Sequence, residues 1–427
     1  MRKHVRTILN HQRDILAPKA IAEIESAMQK VKDAIATKAE KAALEKQMEN
    51  LEQGANKWLK PYPNAAWREN IEVLLVALTV ALGIRTFFLQ PFKIPTGSMQ
   101  PTLFGVRSVP DFSHPFRSKQ EMDEQVKIRD EMKIPSGLER VKQWFQGISY
   151  ITLTAKEDGA FEGADEPVGF KIFNIYQKVH FGGETYTIWF PPDYGSPQHP
   201  PTQTDLEVRA GLGRGQFFHK GENFVNLQVT AGDHLFVNRL TYNFRPPERG
   251  EIVVFETHGI ERLDVSQQNT FYIKRLVGLG GETLSLQQDY EMAGMLPHLG
   301  LVFLDGVPSL QNYEMPGMPP VGHLVVNGRS LTASTPHFEN LYSFSSVAPG
   351  TKVLQYHENH YYGHALQGEL APGHDFQVCP DCFFVMGDNT MNSLDSRYWG
   401  DFPQTKVIGK SFFVYWPITG RFGLGYR

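Results

Sequence analysis

Apolar and polar positions follow different rhythms along the chain, and each rhythm predicts a different element. From Ala20 to Leu51 no Pro or Gly interrupts a run rich in Ala, Glu, Lys, Gln and Met, all good helix formers. Apolar residues recur at Ile21, Ile24, Met28, Val31 and Ile35, in the alternating steps of three and four that mark an amphipathic helix. Lys38 breaks the phase, which resumes shifted at Leu44, Met48 and Leu51. The pattern supports a coiled coil only weakly, and a solvated helix with no partner fits it too. Lys60-Pro-Tyr-Pro-Asn64 reads as a linker. From Ile71 to Leu89, fourteen of nineteen residues are apolar, and Val73 to Ile84 carries no charge. About twenty helical residues span a hydrocarbon core of roughly 30 Å. The run therefore predicts a transmembrane helix, with a buried core helix as the rival. No apolar run backs the basic N-terminus, so no secretory signal peptide is expected there. Lys57, Lys60 and Arg68 precede the run and favour a cytoplasmic N-terminus.

Beyond Leu89 the rhythm shortens to that of strands. Phe170–Tyr176, Thr185–Phe190, Glu251–Phe255 and Cys382–Met386 are short β-branched or aromatic runs bounded by Gly, Pro or Asn. Residues 116–146 are a charged, helix-compatible interruption. The expected architecture is mainly β, with antiparallel sheets behind one N-terminal helix.

Composition narrows the classes. The chain has 427 residues, 41% hydrophobic and 21% charged, ordinary for globular protein. Its 42 Lys+Arg against 46 Asp+Glu leave a net charge of −4, so nucleic acid is not an expected partner. Two cysteines exclude a disulfide-dense scaffold and a cysteine-only zinc site.

Four stretches carry candidate chemistry. Gln90-Pro-Phe-Lys-Ile-Pro-Thr-Gly-Ser-Met-Gln-Pro-Thr-Leu103 places Ser98 in a turn behind a flexible glycine. Gly232–Asn238 runs on to Pro247–Phe255 as strand, loop, strand. Phe271–Leu284 holds Lys274 inside an apolar β run, on the face of Tyr272 and Leu276. Such a lysine is either snorkelling or desolvated. Phe384–Gly400 packs Asp388, Asn389, Ser393, Asp395 and Arg397 into ten residues.

Together, and in this order behind an apolar span, these stretches resemble the successive boxes of type I signal peptidases, the membrane-bound Ser-Lys proteases that remove signal peptides from exported proteins. Val407-Ile-Gly-Lys-Ser411 and Tyr415-Trp-Pro417 continue the match. The resemblance covers roughly residues 70–105, 228–290 and 376–417. It implies that Ser98 is the nucleophile and Lys274 the general base. An alcohol needs a base to become a nucleophile, and a lysine serves only when neutral. Burial would lower its pKa, with Tyr272, Ile273 and Leu276 as suppliers of the apolar setting. The resemblance further implies an oxyanion hole from the Ser98 backbone and the Thr96 hydroxyl. It makes Ser393 the hydroxyl that orients the amine, and Asp388, Asn389, Asp395 and Arg397 structural supports. Ile94, Pro95, Met99, Leu103, Tyr272 and Ile273 match positions lining the pockets for small residues at −1 and −3 from the cut. The implied partners are signal-peptide-bearing preproteins and the lipid bilayer. No cofactor and no metal are implied. Contact with the export machinery and the oligomeric state are left open.

The implied domains are a cytoplasmic helical segment (1–70) and a transmembrane helix (71–90), then a catalytic β-domain (91–105, 228–290, 376–427). A folded insertion (106–227) and a second, non-catalytic β-domain (291–375) complete the chain. The catalytic part is expected on the outer face of the plasma membrane. Three features depart from the family pattern. Between Leu103 and Gly232 lie 128 residues where relatives have a short turn. Thr390 and Met391 stand in place of Arg and Asp. Gly280 replaces a common Pro, a change expected to be neutral. Cys379-Pro-Asp-Cys382 is compatible with a structural disulfide and lacks the context of a redox motif. His357, His360 and His364 imitate metal spacing, with a surface loop as the default. Two other functions stay open: a maturation protease for one dedicated exported client, and an inactive membrane-tethered binder of exported chains.

Overall fold

A computed structural model describes residues 1–60, 65–113, 116, 118–170, 173–196, 202–292, 298–304, 307–313, 318–346, 353–354 and 360–425. The chain divides into two compact units, Met1–Ala81 and Leu82–Arg427.

In the first unit the periodic stretch folds as two helices rather than one. After α1 (Arg2–His11) come α2 (Pro18–Ala36) and α3 (Lys41–Trp58). The phase break at Lys38 is the turn between them, where Lys38 adopts a φ of +52°, the left-handed conformation that ends helices. Ile24, Val31, Leu51 and Ala55 are buried together with Val5 and Leu9 from α1. A solvated helix without a partner is therefore not what forms. Ile35, the last periodic position, is exposed.

The apolar run forms α4 (Ala65–Phe87). Of the expected linker, residues 61–64 lie outside the described residues. Trp67–Phe87 is long and apolar enough to cross a membrane, and its apolar window is unburied. A buried core helix, the rival reading, does not describe it.

In the second unit Phe173–Phe181 and Glu184–Trp189 pair within a five-stranded sheet, whereas the runs at Glu251–Phe255 and Cys382–Met386 join a larger antiparallel sheet. Its members are β1 (Leu89–Lys93), β2 (His234–Asn238), β3 (Ile252–Glu256), β4 (Phe271–Gly278), β5 (Cys382–Met386) and β6 (Val407–Trp416). Their order is β1-β2-β6-β3-β4-β5, with Phe402–Pro403 beside β5 and Gly423–Leu424 beside β6. Both faces of the centre are covered. Val253, Phe255, Leu276 and Val385 pack with Trp399 and Phe402. Leu235, Val237, Ile252 and Val254 pack with Ile94, Met99, Leu103 and Val414. Burial on both faces explains why Ile252–Phe255 is a continuous apolar run rather than an alternating one.

Two further clusters flank this sheet. Residues from Val106 to Val229 share a core that includes Phe161, Val179, Phe224 and Leu227. Its strands include the three-stranded set Arg107–Val109, Asn223–Thr230 and Ile148–Thr154. The charged interruption holds the helices Lys119–Glu131 and Gly137–Phe145. A second cluster around Leu284, Leu324, Phe338 and Tyr342 also draws in Phe384 and Met386 of β5.

Candidate active site

β1 ends at Lys93 and delivers a tight loop, 94–105, onto the edge of the sheet. The Ile94 N–H donates to the Asp233 carbonyl, and the Phe104 N–H donates to the buried Asp233 carboxylate. Arg421 closes on the same carboxylate with two nitrogens. Met99 and Leu103 are fully buried beneath the loop. These anchors hold Ser98, itself nearly buried, at one place.

Lys274 arrives from the middle of β4, opposite Val253 of β3. Its Nζ lies 2.6 Å from the Ser98 Oγ. Tyr272 and Leu276 share its face, as alternation requires, and Nζ lies 5.6 Å from the Tyr272 ring centroid. Ile273 turns the other way, into the cluster of Ile94, Met99 and Leu103, so it does not supply Lys274's own face. The lysine is 5% exposed. Burial lowers its pKa to about 8, with Asp395 pulling up and Arg397 pushing down. At that value a sizeable neutral fraction exists near neutral pH, and a neutral amine at 2.6 Å can accept the hydroxyl proton.

The loop after β5 braces both residues. The Asn389 backbone N–H donates to the Ser98 carbonyl, and its Nδ2 donates to the Gly97 carbonyl. Gly387 leaves no space for a side chain, since a Cβ there would lie 2.5 Å from the Ser98 carbonyl oxygen and 2.2 Å from the Ser393 Oγ. Asp395 accepts the Gly387 N–H and pairs with Arg397 through two nitrogens, both residues being fully buried. Arg397 also donates to the Thr390 hydroxyl and carbonyl and to the Ala365 carbonyl. Thr390 thus replaces an ion pair with acceptors for an arginine already present.

Asp388 does more than shape a turn. It takes a bidentate bond from Arg275 and a third from the Thr102 hydroxyl, and Thr102 also meets the Tyr361 hydroxyl at 2.9 Å. Neither Arg275 nor Thr102 was singled out from sequence. The signal available was a second cation directly after Lys274, on the opposite face of the same apolar strand.

The other expected residues are placed as follows. Thr96 is exposed at the loop's surface, and Pro95 beside it is exposed as well. Tyr272 and Ile273 are half-buried, whereas Ile94, Met99 and Leu103 form core beneath the loop. Ser393 is buried against Gly387, and its Oγ has no hydrogen-bond partner among the described residues. Its expected bond to the Lys274 amine is not made here.

Two smaller expectations need correction. A side chain at Gly280 would lie 1.9 Å from the Pro380 carbonyl, so glycine is required there and the change is not neutral. Cys379 and Cys382 form a disulfide in the adjoining turn. His364 lies in the core rather than in a surface loop, with its Nδ1 against the Tyr342 hydroxyl at 2.8 Å. Burial and the nearby Arg397 push its pKa down to about 3. His357 lies outside the described residues.

Comparison with known proteins gives this arrangement a family. The family described as "Signal peptidase, peptidase S26" matches residues 67–123 and 219–416. Signal peptidase I of Leptolyngbya laminosa is 25% identical over 214 residues, half of this chain and 74% of that protein. A probable signal peptidase I of Synechocystis is 28% identical over 219 residues, 51% of this chain and 70% of that one. Signal peptidase I of Bacillus caldolyticus is 26% identical, covering 44% of this chain and 73% of its own length. A crystal structure of a signal peptidase I from Enterococcus faecalis aligns at 23% identity over 39% of this chain and 97% of that one. The TM-score of that alignment is 0.22. The family match spans more than half of the chain and takes in all four motif stretches, Ser98 and Lys274 included, and so the protein belongs to the signal peptidases of peptidase family S26, as a serine endopeptidase of type I.

Proposed function

We propose that Ser98 and Lys274 form the catalytic dyad of a membrane-anchored signal peptidase that cuts exported preproteins after small residues. The observation that carries this reading is the 2.6 Å approach of the Lys274 Nζ to the Ser98 Oγ in a buried setting. Neutral Lys274 takes the Ser98 proton as Oγ attacks the scissile carbonyl carbon. The negative oxygen of the tetrahedral intermediate is met by the Ser98 N–H and the Thr96 hydroxyl. Protonated Lys274 then gives its proton to the leaving amine, and the acyl group stays on Ser98. In the second half, Lys274 deprotonates a water that attacks the acyl carbon, and Ser98 leaves with the proton. Ser393 acts as a positioning hydroxyl once its side chain rotates toward the amine.

The preprotein binds extended, adding a strand beside Ile94–Thr96 and Tyr272–Ile273. Pro95, Tyr272 and Ile273 offer the open walls, and Ile94, Met99 and Leu103 the floor that keeps the −1 and −3 pockets shallow. In this reading, residues 1–70 are cytoplasmic, 71–90 cross the plasma membrane, and 91–105, 228–290 and 376–427 form the catalytic domain outside. Residues 106–227 are an inserted domain, and 291–375 belong to a second, non-catalytic β-domain. Anchoring in the bilayer raises the effective concentration of a substrate whose own apolar segment lies there.

The test is cleavage of an exported precursor with Ala at −1 and −3 by the full chain in detergent. Wild type should cut at that site, and Ser98→Ala and Lys274→Ala should each lose about three orders of magnitude or more. Retained cleavage by folded Lys274→Ala would sink the dyad. Cleavage of one client but not of general precursors would replace general processing with dedicated maturation.

A further inference from the structure

Helix Gly137–Phe145 is amphipathic, yet it faces the wrong way for a protein in water. Leu138, Val141, Trp144 and Phe145 fall within about 120° of arc at 100° per residue. All four are exposed, Leu138 at 88% and Trp144 at 59%. The polar side is the one held against the protein. Arg140 stacks over the Tyr150 ring, its guanidinium carbon 4.7 Å from the centroid, and Gln143 accepts from the Tyr150 hydroxyl at 2.7 Å. No residue of the helix is buried. An ordinary surface helix turns its apolar stripe inward, so this one presents its stripe to something else. The patch continues into Ile418, half-exposed, whose N–H donates to the Phe145 carbonyl. The helix also lies outside the stretches matched by the family.

We propose that this helix is an interfacial anchor that lays its Leu138, Val141, Trp144 and Phe145 face into the surface of the lipid bilayer. The inference rests on the reading that Trp67–Phe87 crosses that bilayer. Three observations favour lipid over another occupant. The composition suits the interface: Trp and Phe with aliphatic neighbours, at the water–hydrocarbon boundary. The path from the end of the apolar helix is also short. α4 ends at Phe87 and β1 begins at Leu89, and the far end of β1 pairs through His234 with Trp416, next to Ile418. That path is five residues along β1, roughly 17 Å, followed by two strand spacings of about 5 Å each. Finally, the exposed Lys142 borders the stripe on the helix surface, 3.8 Å from Glu139.

The disulfide leaves the native chain without a free thiol, so one introduced cysteine can be labelled alone. The full chain, in nanodiscs carrying lipids with nitroxides both near the headgroup and deep in the acyl chain, is labelled with an environment-sensitive fluorophore at Phe145→Cys, Leu138→Cys, Val76→Cys or Glu157→Cys. Strong quenching is expected at positions 145, 138 and 76, and none at 157. Quenching at 76 with none at 138 and 145 would overturn the anchor. No quenching at 76 would instead fail the membrane-span reading on which it rests. Protection at 145 without quenching, together with cross-linking between copies, would assign the stripe to a second copy and overturn the proposal. As a second readout, Val141→Glu should lower cleavage of a bilayer-embedded precursor several-fold and leave cleavage of a soluble peptide in detergent unchanged. Equal effects on both would reduce the helix to a structural role.

Discussion

At the scale of the residue, the dyad runs on a cost. Lys274 has a folded pKa of about 8 against an ordinary 10.5. Between those values the unfolded chain holds a proton that the folded chain has shed, so this group's contribution to stability rises with pH across that window. Below about pH 8 its penalty is complete. Lys274→Met should therefore abolish cleavage and yet stabilise the fold at pH 7, by up to ~3 kcal/mol. The gain should shrink as pH rises from 8 toward 10.5, which urea unfolding at several pH values would measure. For activity the sign is the same, because the neutral amine is the working form. kcat/KM for a soluble peptide should rise with pH and reach half its plateau near pH 8. A flat profile from pH 6 to 9 would mean that Lys274 is not the group whose proton limits the reaction.

At the scale of the element, what the sequence made legible was whatever a local pattern encodes. β4, β5 and the apolar helix follow from apolar runs, and Ser98 and Lys274 from the motifs that hold them. The helical hairpin was half legible, since the phase break at Lys38 is its turn, but the partner of α2 lies beyond that break. The close crossings and buried pairs were not legible, because their partners are remote in sequence. Arg275 meets Asp388 across 113 residues, and Gly280 meets the Pro380 carbonyl across a similar gap. Glu251, at the start of β3, is another such junction. It binds Arg245, the Glu248 N–H, the Tyr242 hydroxyl and Lys410 of β6. Burial alone would raise its pKa, but the Arg245, Glu248 and Lys410 hydrogen bonds bring it down to about 2. The folded pKa lies below the ordinary 4.5, so its contribution is full above that value and is lost as pH falls toward 2. Glu251→Gln should cost up to ~3 kcal/mol at pH 7 and almost nothing near pH 2. Unfolding curves for the two proteins that stay equally far apart at both pH values would contradict this linkage.

At the scale of the whole molecule, the large insertion enters and leaves through one pair of strands. Arg107, Ser108 and Val109 pair with Thr230, Val229 and Gln228. Its two ends therefore lie side by side, although 118 residues (110–227) separate them. The loop that carries Ser98 is closed before this pair begins, by the hydrogen bonds from Ile94 and Phe104 to Asp233 and by Arg421. The insertion reaches the two ends of that loop, where Asp193 pairs with Lys93 at 3.1 Å and Arg209 donates to the Val106 carbonyl, and Gly195 packs so closely that a Cβ there would lie 2.8 Å from the Pro95 carbonyl oxygen. Among the described residues, its apolar core takes only Val106 and Val229 from outside residues 110–227. Replacing residues 110–227 with a two-residue Asn-Gly turn should close a hairpin in the existing register. Val229→Thr would relieve the surface so exposed. The shortened chain should fold and cut a soluble peptide in detergent within a few-fold of wild type, because neither Ser98 nor Lys274 takes a hydrogen bond from the removed segment. Cleavage of a precursor embedded in a bilayer should fall further, since helix Gly137–Phe145 leaves with the insertion. Loss of peptide cleavage in a chain shown to be folded would mean that the insertion helps to build the site itself, and the Asp193–Lys93 contact at the end of β1 would be the first place to look.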